Sequence, residues 1–548
     1  MNADLESFLG QEGLSTLDRH FARQVVLRAN ENSKLIGPAA ALTSLVLRQG
    51  HICLDLSRAP KMAETAVPRL TPWPSVDVWR EDLSRSGVVA VGEPRFLPLV
   101  LDSGNRLYLH RYEEYERRVA EAILLRISAG RFRVIVGGPG TGKTTRIIDD
   151  LQAVAARAPS PRIALAAPTG KAANRMEESL RRGIERLALS DEQRARLPRS
   201  ASTLHRLLGA RSDSAFFKHD AENPLPIDVL IIDEVSMVDL PLMAKLFAAL
   251  KSTAEVVLVG DPHQLASVEA GAVLADITAA ASKNPALAST RISLQKQYRH
   301  GPRSGIGRLC NAIRDGDGEQ ALALLNSAEY DDICLINPPE RTLLERKLFA
   351  DTLQKSSAVA SLRVALAQKE PAAMLAELAA SRILCPLRRG PFGVEAINEI
   401  IERLFDSEGL IRRAGRLYER RPIVVTRNDH GLQLYNGDSG IVTRDPQDGR
   451  LKACFMAFDG ALRTVSALRL PPHESAFAMT VHRSQGSEFD RVLILLPPTP
   501  NPIMTRELLY TAVSRARSKV EIWGNPQSVL DACKYTVERT SGLVDRLL

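Results

Sequence analysis

The sequence predicts an α/β fold in which two parallel-sheet domains stand in tandem, preceded by a helical region and interrupted by a small inserted β-barrel. Three observations predict it. The glycine-rich run Gly137 to Thr144 follows an apolar, β-branched strand and opens a helical pattern, the context a P-loop requires. From Arg131 onward, short β-branched runs ending in Gly, Pro or Asp alternate with helical periodicity, as βα units on a parallel sheet do. Between about residues 410 and 475 the texture changes to short alternating segments broken by Asn436-Gly437-Asp438, Asp448-Gly449 and Asp459-Gly460, the turn chemistry of hairpins.

Taken in order, residues 1–110 have helix-like apolar spacing (Leu5, Phe8, Leu9; Leu17, Phe21, Val25; Leu42, Leu45, Val46), then a proline-rich stretch from Pro68 to Pro74, and no catalytic pattern. This region is expected to be a helical domain that docks on a partner. Residues 111–290 form the first α/β domain, with strands expected at Phe132 to Val136, Arg162 to Ala167, Val229 to Asp233 and Val256 to Gly260, and a small insertion near 200–225. Residues 291–548 form the second, with strands at Ile383 to Pro386, Val492 to Leu496 and Val520 to Trp523. The barrel lies within it at 410–475, built from Ile423 to Thr426, Gly440 to Thr443, Ala453 to Phe458 and Thr464 to Ala467.

Length and composition agree with this plan. The chain has 548 residues, enough for three or four domains at roughly 150 residues each, and 45% hydrophobic with 25% charged residues excludes wholesale disorder. The N-terminus is acidic without an apolar signal core, and no run approaches the ~18 apolar residues a membrane span needs, so a cytoplasmic location is the expectation. The cysteines Cys53, Cys310, Cys334, Cys385, Cys454 and Cys533 are scattered singly and read as reduced packing residues. A net charge of +8 is compatible with a polyanionic partner and equally with an ordinary solvated surface.

The motifs specify more. Gly137-Gly138-Pro139-Gly140-Thr141-Gly142-Lys143-Thr144, with Thr145 beyond it, lets backbone N–H groups converge on phosphates. Lys143 brings a point charge to the β and γ phosphates of ATP, and Thr144 a hydroxyl to Mg²⁺. Val229 to Glu234 is an apolar strand ending in two carboxylates: Asp233 suits Mg²⁺ and Glu234 suits a general base for water. A third strand ends at Gly260 and leads to Gln264, a neutral donor and acceptor suited to sensing a γ-phosphate from beside the P-loop strand.

At this point the chain resembles a family. Ala166 to Ala173, Ser202 to Gly209, Asp233 to Asp239, Gly260 to Ala266, Gln297-Tyr298-Arg299, Thr480 to Phe489 and Tyr510 to Arg517 look like the ordered motif set of superfamily one DNA helicases of the 5′-to-3′ branch. Arg388 to Val394 with Asn398, Asn436-Gly437-Asp438 and Ala478 to Asp490 are similar, more narrowly, to the RecD family, the alpha subunits of bacterial exodeoxyribonuclease V. The resemblance covers about residues 110–548 strongly. It implies that both α/β domains are RecA-like, that the barrel is SH3-like, and that Arg299 and Arg515 are the cations reaching the γ-phosphate. It further implies that Gly486 and Glu488 lie in the loop coupling nucleotide to DNA, and that Thr169, Lys171, Thr203, His205, Thr480 and His482 hold a single strand. The implied partners are single-stranded DNA and duplex ends, a RecB-like helicase-nuclease and a RecC-like scaffold, in recombinational repair; from the residues themselves no nuclease site is expected in this chain, because no further carboxylate cluster with an associated lysine stands outside the ATPase motifs. One departure stands out: relatives carry a glutamine before the P-loop that reads adenine, and Glu113 to Arg133 contains none. Competing readings are a stand-alone RecD-like helicase and a structural subunit with a vestigial ATPase; the full set Lys143, Asp233, Glu234, Gln264, Arg299 and Arg515 argues against the latter.

Overall fold

The computed structural model describes residues 3–548 except 31–32, 65, 68–71, 93–94, 158–160, 187–189, 199, 212–213, 215, 300, 302, 339–345, 430 and 458–459. Pro68 to Thr71 of the proline-rich stretch, parts of the 200–225 segment, Phe458 at the end of an expected barrel strand and Asp459 of the third turn signal therefore lie outside the described residues.

The N-terminal region is built around the helix Ile36–Arg48, whose residues Ile36 to Val46 are all buried. The helix Thr16–Val26 packs beside it, started by a capping box between Ser15 and Asp18. Asp18 is fully buried and accepts from Ser44 Oγ at 2.6 Å and Arg48 Nη2 at 2.9 Å. The expectation of a purely helical region is corrected by a small sheet: β1 (Leu54–Asp55), β2 (Val89–Val91), β3 (Leu99–Leu101) and β4 (Arg106–Leu109), in the order β1-β4-β3-β2. Strands of two to four residues are too short to display an alternation, so periodicity could not reveal them.

The first parallel sheet contains β5 (Phe132–Gly137), β6 (Ile163–Ala167), β7 (Ser202–Thr203), β8 (Val229–Ile232), β9 (Glu255–Gly260) and β10 (Arg291–Leu294), in the order β10-β5-β9-β8-β6-β7. Every residue of β8 is buried, as a central parallel strand covered on both faces requires. β10 pairs with β5 from Arg291 to Leu294, so this sheet extends past the expected division at 290 and Arg299 leaves from its edge. The helix His110–Ser128 bridges the N-terminal region to this sheet; its buried Arg126 donates to the carbonyls of Ala254 at 3.1 Å and Lys251 at 2.8 Å.

The second sheet begins with β11 (Ile333–Ile336) and β12 (Ser381–Cys385). The insertion follows as β13 (Pro422–Val425), β14 (Ser439–Arg444), β15 (Leu451–Met456), β16 (Leu462–Ser466) and β17 (His473–Ser475), and the sheet resumes with β18 (Ala478–Thr480), β19 (Phe489–Leu495) and β20 (Ala516–Trp523). Its order is β11-β20-β19-β12-β18, with parallel pairs throughout. The insertion is a five-stranded antiparallel sheet in the order β16-β15-β14-β13-β17. The described pairings leave β16 and β17 as its edges and do not close it.

The chain's last segment runs back over the first sheet. Arg539 Nη1 and Nη2 donate to the carbonyls of Gly271 at 2.8 Å and Ser267 at 2.6 Å, Thr540 N donates to His51 Nδ1 at 3.0 Å, and Arg546 pairs with Glu113 and Glu116 at 2.9 and 3.0 Å. Ser541 Oγ donates to Asp276 Oδ2 at 2.8 Å. Burial pushes the Asp276 carboxyl up to about 7, Ser541 opposing and Glu116 adding to the shift. A raised carboxyl stabilises the fold below the usual carboxylate range and loses that contribution as pH climbs through 7. Asp276→Asn is therefore expected to gain on the parent protein as pH rises, its melting temperature relative to the parent being about 2 °C higher at pH 8.5 than at pH 5, read by thermal unfolding at both pH values.

Candidate nucleotide site and nucleic-acid face

β5 delivers the chain into the loop 138–142, and the helix Lys143–Arg157 leaves it. Gly140 and Gly142 have φ of 74° and 87°, which side chains disfavour, and a Cβ on Gly140 would lie 2.3 Å from Arg299 Cβ. Lys143 Nζ folds onto its own loop, 2.6 Å from Gly137 O and 3.0 Å from Gly138 O. Those carbonyls hold the ammonium at the mouth of the loop.

The loop floors a cleft of about 740 Å³, within the range of nucleotide-sized pockets. Gly138 to Thr145, Asp233, Glu234, Gln264, Arg299, Glu488 and Arg515 all line it, so the cleft gathers nearly all residues the sequence nominated for nucleotide chemistry. Gly137 and Gly486 are not among its lining residues. β8 ends at Ile232, placing Asp233 and Glu234 at its carboxyl end beside the loop. Glu234 has φ 53° and ψ 41°, a left-handed conformation uncommon for glutamate, and its N–H donates to Asp233 Oδ1 at 2.8 Å. Burial and the Glu234 charge raise the Asp233 carboxyl, with Lys143 opposing. That carboxylate sits in surroundings that favour a cationic neighbour.

Residues from the second sheet meet this wall. Arg515, only 3% exposed, donates through Nη2 to Gln264 Oε1 and through Nε to Thr511 O at 3.2 Å. Thr511 Oγ1 accepts from Leu265 N at 2.9 Å, Gln485 Nε2 donates to Leu265 O at 3.0 Å, and Tyr510 OH donates to Asp261 Oδ2 at 3.0 Å. Gln264 is thus wired to the second unit. Glu488, 8% exposed at its side chain, accepts from Arg299 and Arg175 through Oε1 and pairs with Arg517 Nε at 3.2 Å. Arg299 Nη1 is buried without a hydrogen-bond partner among the described residues, a donor that an anion in the cleft would satisfy. Burial, then Arg175, Arg517 and Arg515, pull Arg299 down to about 10, so it remains cationic at neutral pH.

The residues nominated for a single strand fall at or just past the carboxyl ends of β6, β7 and β18. Thr169 follows β6 and caps the helix Gly170–Arg186, accepting from Ala172 N at 3.2 Å. Thr203 ends β7 and caps the helix Leu204–Leu207, while His205 meets Phe217 edge-on at 5.8 Å. Thr480 ends β18, the edge strand of the second sheet, and accepts from Arg483 N at 3.3 Å; His482 follows it. Lys171 reaches the insertion: a Cβ on Gly437 would lie 3.9 Å from its Nζ. Burial there lowers the ammonium to about 8, Arg382 adding and Asp438 opposing.

Sequence reasoning missed two cleft residues. Tyr298, 69% exposed, lies over the loop, its N–H donating to Gly140 O at 2.8 Å and its ring 3.5 Å from where a Gly142 Cβ would be. It stood inside the quoted Gln297-Tyr298-Arg299 triplet, and an aromatic beside a nominated arginine was the available signal. Arg175 lies beyond the quoted Ala166 to Ala173 segment, and only its helical spacing from Lys171 could have drawn attention to it.

A P-loop on one parallel sheet, closed by an arginine from a second such sheet, defines a two-unit P-loop motor of the helicase class. Family models agree piece by piece: "RecBCD enzyme subunit RecD, N-terminal domain" matches residues 10–108, "AAA domain" 120–270 and "UvrD-like helicase C-terminal domain" 475–522. The RecBCD enzyme subunit RecD of Mycolicibacterium smegmatis is 39% identical over 99% of both chains. The ATP-dependent RecD2 DNA helicase of Deinococcus radiodurans is 32% identical over 78% of this chain and 52% of its own. A Bacteroides Pif1 structure bound to single-stranded DNA aligns at 19% identity and a TM-score of 0.39, covering 76% of this chain and 93% of that one. The chain belongs to the RecD family, and with it to the ATP-dependent DNA helicases. Among the described residues no helix is long and apolar enough to cross a membrane.

Proposed function

We propose that this chain is the 5′-to-3′ translocating subunit of a RecBCD-type helicase-nuclease, acting in the cytoplasm on double-strand DNA ends beside a RecB-like helicase-nuclease and a RecC-like scaffold. One observation carries the motor reading: the cleft joins Lys143, Asp233 and Glu234 of the first unit to Arg515 of the second through the Gln264 bond. Residues 1–110 are read as the partner-docking domain, 111–290 and 291–548 as the two RecA-like domains with the exchange of β10 noted above, and the five-stranded insertion as SH3-like.

The residues fit ATP and Mg²⁺. The orphaned Arg299 Nη1, the glycine loop and the Lys143 ammonium suit a triphosphate, and Thr144 with Asp233 would hold the Mg²⁺ that neutralises its charge. Glu234 takes the proton of the attacking water. Arg299 and Arg515 stabilise charge developing at the γ-phosphate, and Tyr298 offers the base an aromatic face in place of the missing upstream glutamine. Thr169, Lys171, Thr203 and His205 on one unit and Thr480 and His482 on the other grip DNA phosphates and sugars, contacts that carry no sequence information and suit a motor that crosses any DNA.

The test uses the purified chain with ATP and Mg²⁺ on two partial duplexes, one with a 5′ and one with a 3′ single-stranded tail. Strand separation is expected from the 5′-tailed duplex alone. Equal unwinding from a 3′ tail would remove the polarity, and ATP hydrolysis indifferent to single-stranded DNA would remove the motor reading. Co-expression with the RecB-like and RecC-like chains of the same genome is expected to yield one heterotrimer.

A further inference from the structure

Arg175 is unexplained by the reading above. It rises from the second turn of the helix Gly170–Arg186, four residues after Lys171 and hence on the same face, and it lines the nucleotide cleft with Glu234 and Arg299. Its guanidinium bonds Glu488 Oε1, the same oxygen that Arg299 occupies. Two cations from the first unit's side therefore share one acceptor oxygen on the second unit, while Arg517 takes the other oxygen at 3.2 Å.

The loop that carries Glu488 also bears on the start of that helix. Gly486 has φ +73°, and a Cβ there would sit 3.4 Å from Ala172 Cβ and 3.5 Å from Thr169 Oγ1. Residues 486–488 thus approach the helix at two points, Gly486 beside Thr169 and Ala172, where there is room for no more than an ordinary contact, and Glu488 in the ion pair with Arg175. A shift of the first turn moves both contacts together.

We infer that Arg175 is a positioning residue that links DNA at the first turn of the Gly170–Arg186 helix to the nucleotide site by competing with Arg299 for Glu488; this rests on reading Thr169 and Lys171 as DNA contacts. Phosphates drawn to Lys171 and Thr169 settle the first turn and strengthen the hold of Arg175 on Glu488. Arg299 is released toward the γ-phosphate. Without DNA, or without Arg175, Glu488 keeps Arg299 and hydrolysis stays slow.

The experiment compares Arg175→Met, which keeps the aliphatic stem and removes the charge, and Arg175→Lys with the parent chain. ATP turnover is measured with and without a saturating single-stranded oligothymidylate, and oligothymidylate affinity by fluorescence anisotropy. Arg175→Met is expected to lose about tenfold in DNA stimulation, with affinity within about twofold of the parent, and Arg175→Lys to recover part of the stimulation. Should Arg175→Met misfold, the Arg175→Lys variant alone must show reduced stimulation at unchanged affinity. Parent-like stimulation in Arg175→Met overturns the inference, as does a parallel fall in affinity and stimulation. Lys171→Ala separates the underlying reading: unchanged oligothymidylate affinity there removes the DNA face and the inference with it, whereas weakened affinity beside an unaffected Arg175→Met removes the inference alone.

Discussion

Lys143→Ala is expected to lower ATP turnover on single-stranded DNA by about 10³-fold, the loss typical of removing one preorganised charge from a transition state. The side chain's hydrogen bonds among the described residues go to the Gly137 and Gly138 carbonyls, and it belongs to no hydrophobic core cluster, so its removal takes nothing from a core. Glu234→Gln is expected to fall by about 10²- to 10⁴-fold for a different reason, because the amide cannot accept the proton of the attacking water. The two variants separate on binding. Lys143→Ala weakens ATP because the ammonium meets the phosphates in the ground state, whereas Glu234→Gln retains ATP affinity and accumulates the bound, unhydrolysed nucleotide. Steady-state hydrolysis together with equilibrium titration of a fluorescent ATP analogue measures both; parent-like turnover in Glu234→Gln would withdraw the general-base assignment.

The legibility of this site in the sequence follows from its chemistry. Gly140 and Gly142 were readable because positive φ at a phosphate loop excludes side chains, and Asp233 and Glu234 because an apolar run ending in two acids marks a buried strand reaching a crevice. Longer parallel strands such as β5 and β9 were equally visible, since strands buried on both faces are continuous apolar runs. What stayed hidden depends on contacts remote in sequence. β10 has mixed character, with Ser293 exposed at the sheet edge, and only its pairing with β5 assigns it to the first unit. Arg175 and Glu488 lie 313 positions apart, and nothing local to either names the other. The return of the C-terminal segment onto His51 and Glu116 is hidden for the same reason.

Arg299→Ala and Arg515→Ala are both expected to cut turnover by about 10³-fold, the effect of losing an arginine that meets the γ-phosphate mainly in the transition state. Their side effects should differ, because the structure embeds them differently. Arg299 keeps a buried Nη1 without a partner among the described residues and shares Glu488 with Arg175, so its loss leaves Glu488 still paired. ATP affinity and the melting temperature are expected to stay near the parent values. Arg515 is hydrogen-bonded to Gln264, Thr511 O and, at 3.4 Å, Ser487 O; its removal strands acceptors at the junction of the two units, at a cost of about 1–3 kcal/mol. A lower melting temperature should therefore accompany the loss of turnover in Arg515→Ala. Arg515→Lys restores the charge without the fork that spans Gln264 and Ser487, and is expected to recover stability less than turnover. Hydrolysis rates, titration of the fluorescent analogue and thermal unfolding on all three variants decide the matter. If ATP affinity and turnover fell in parallel in both alanine variants, the arginines would be ground-state ion-pair partners and not cations for the transition state.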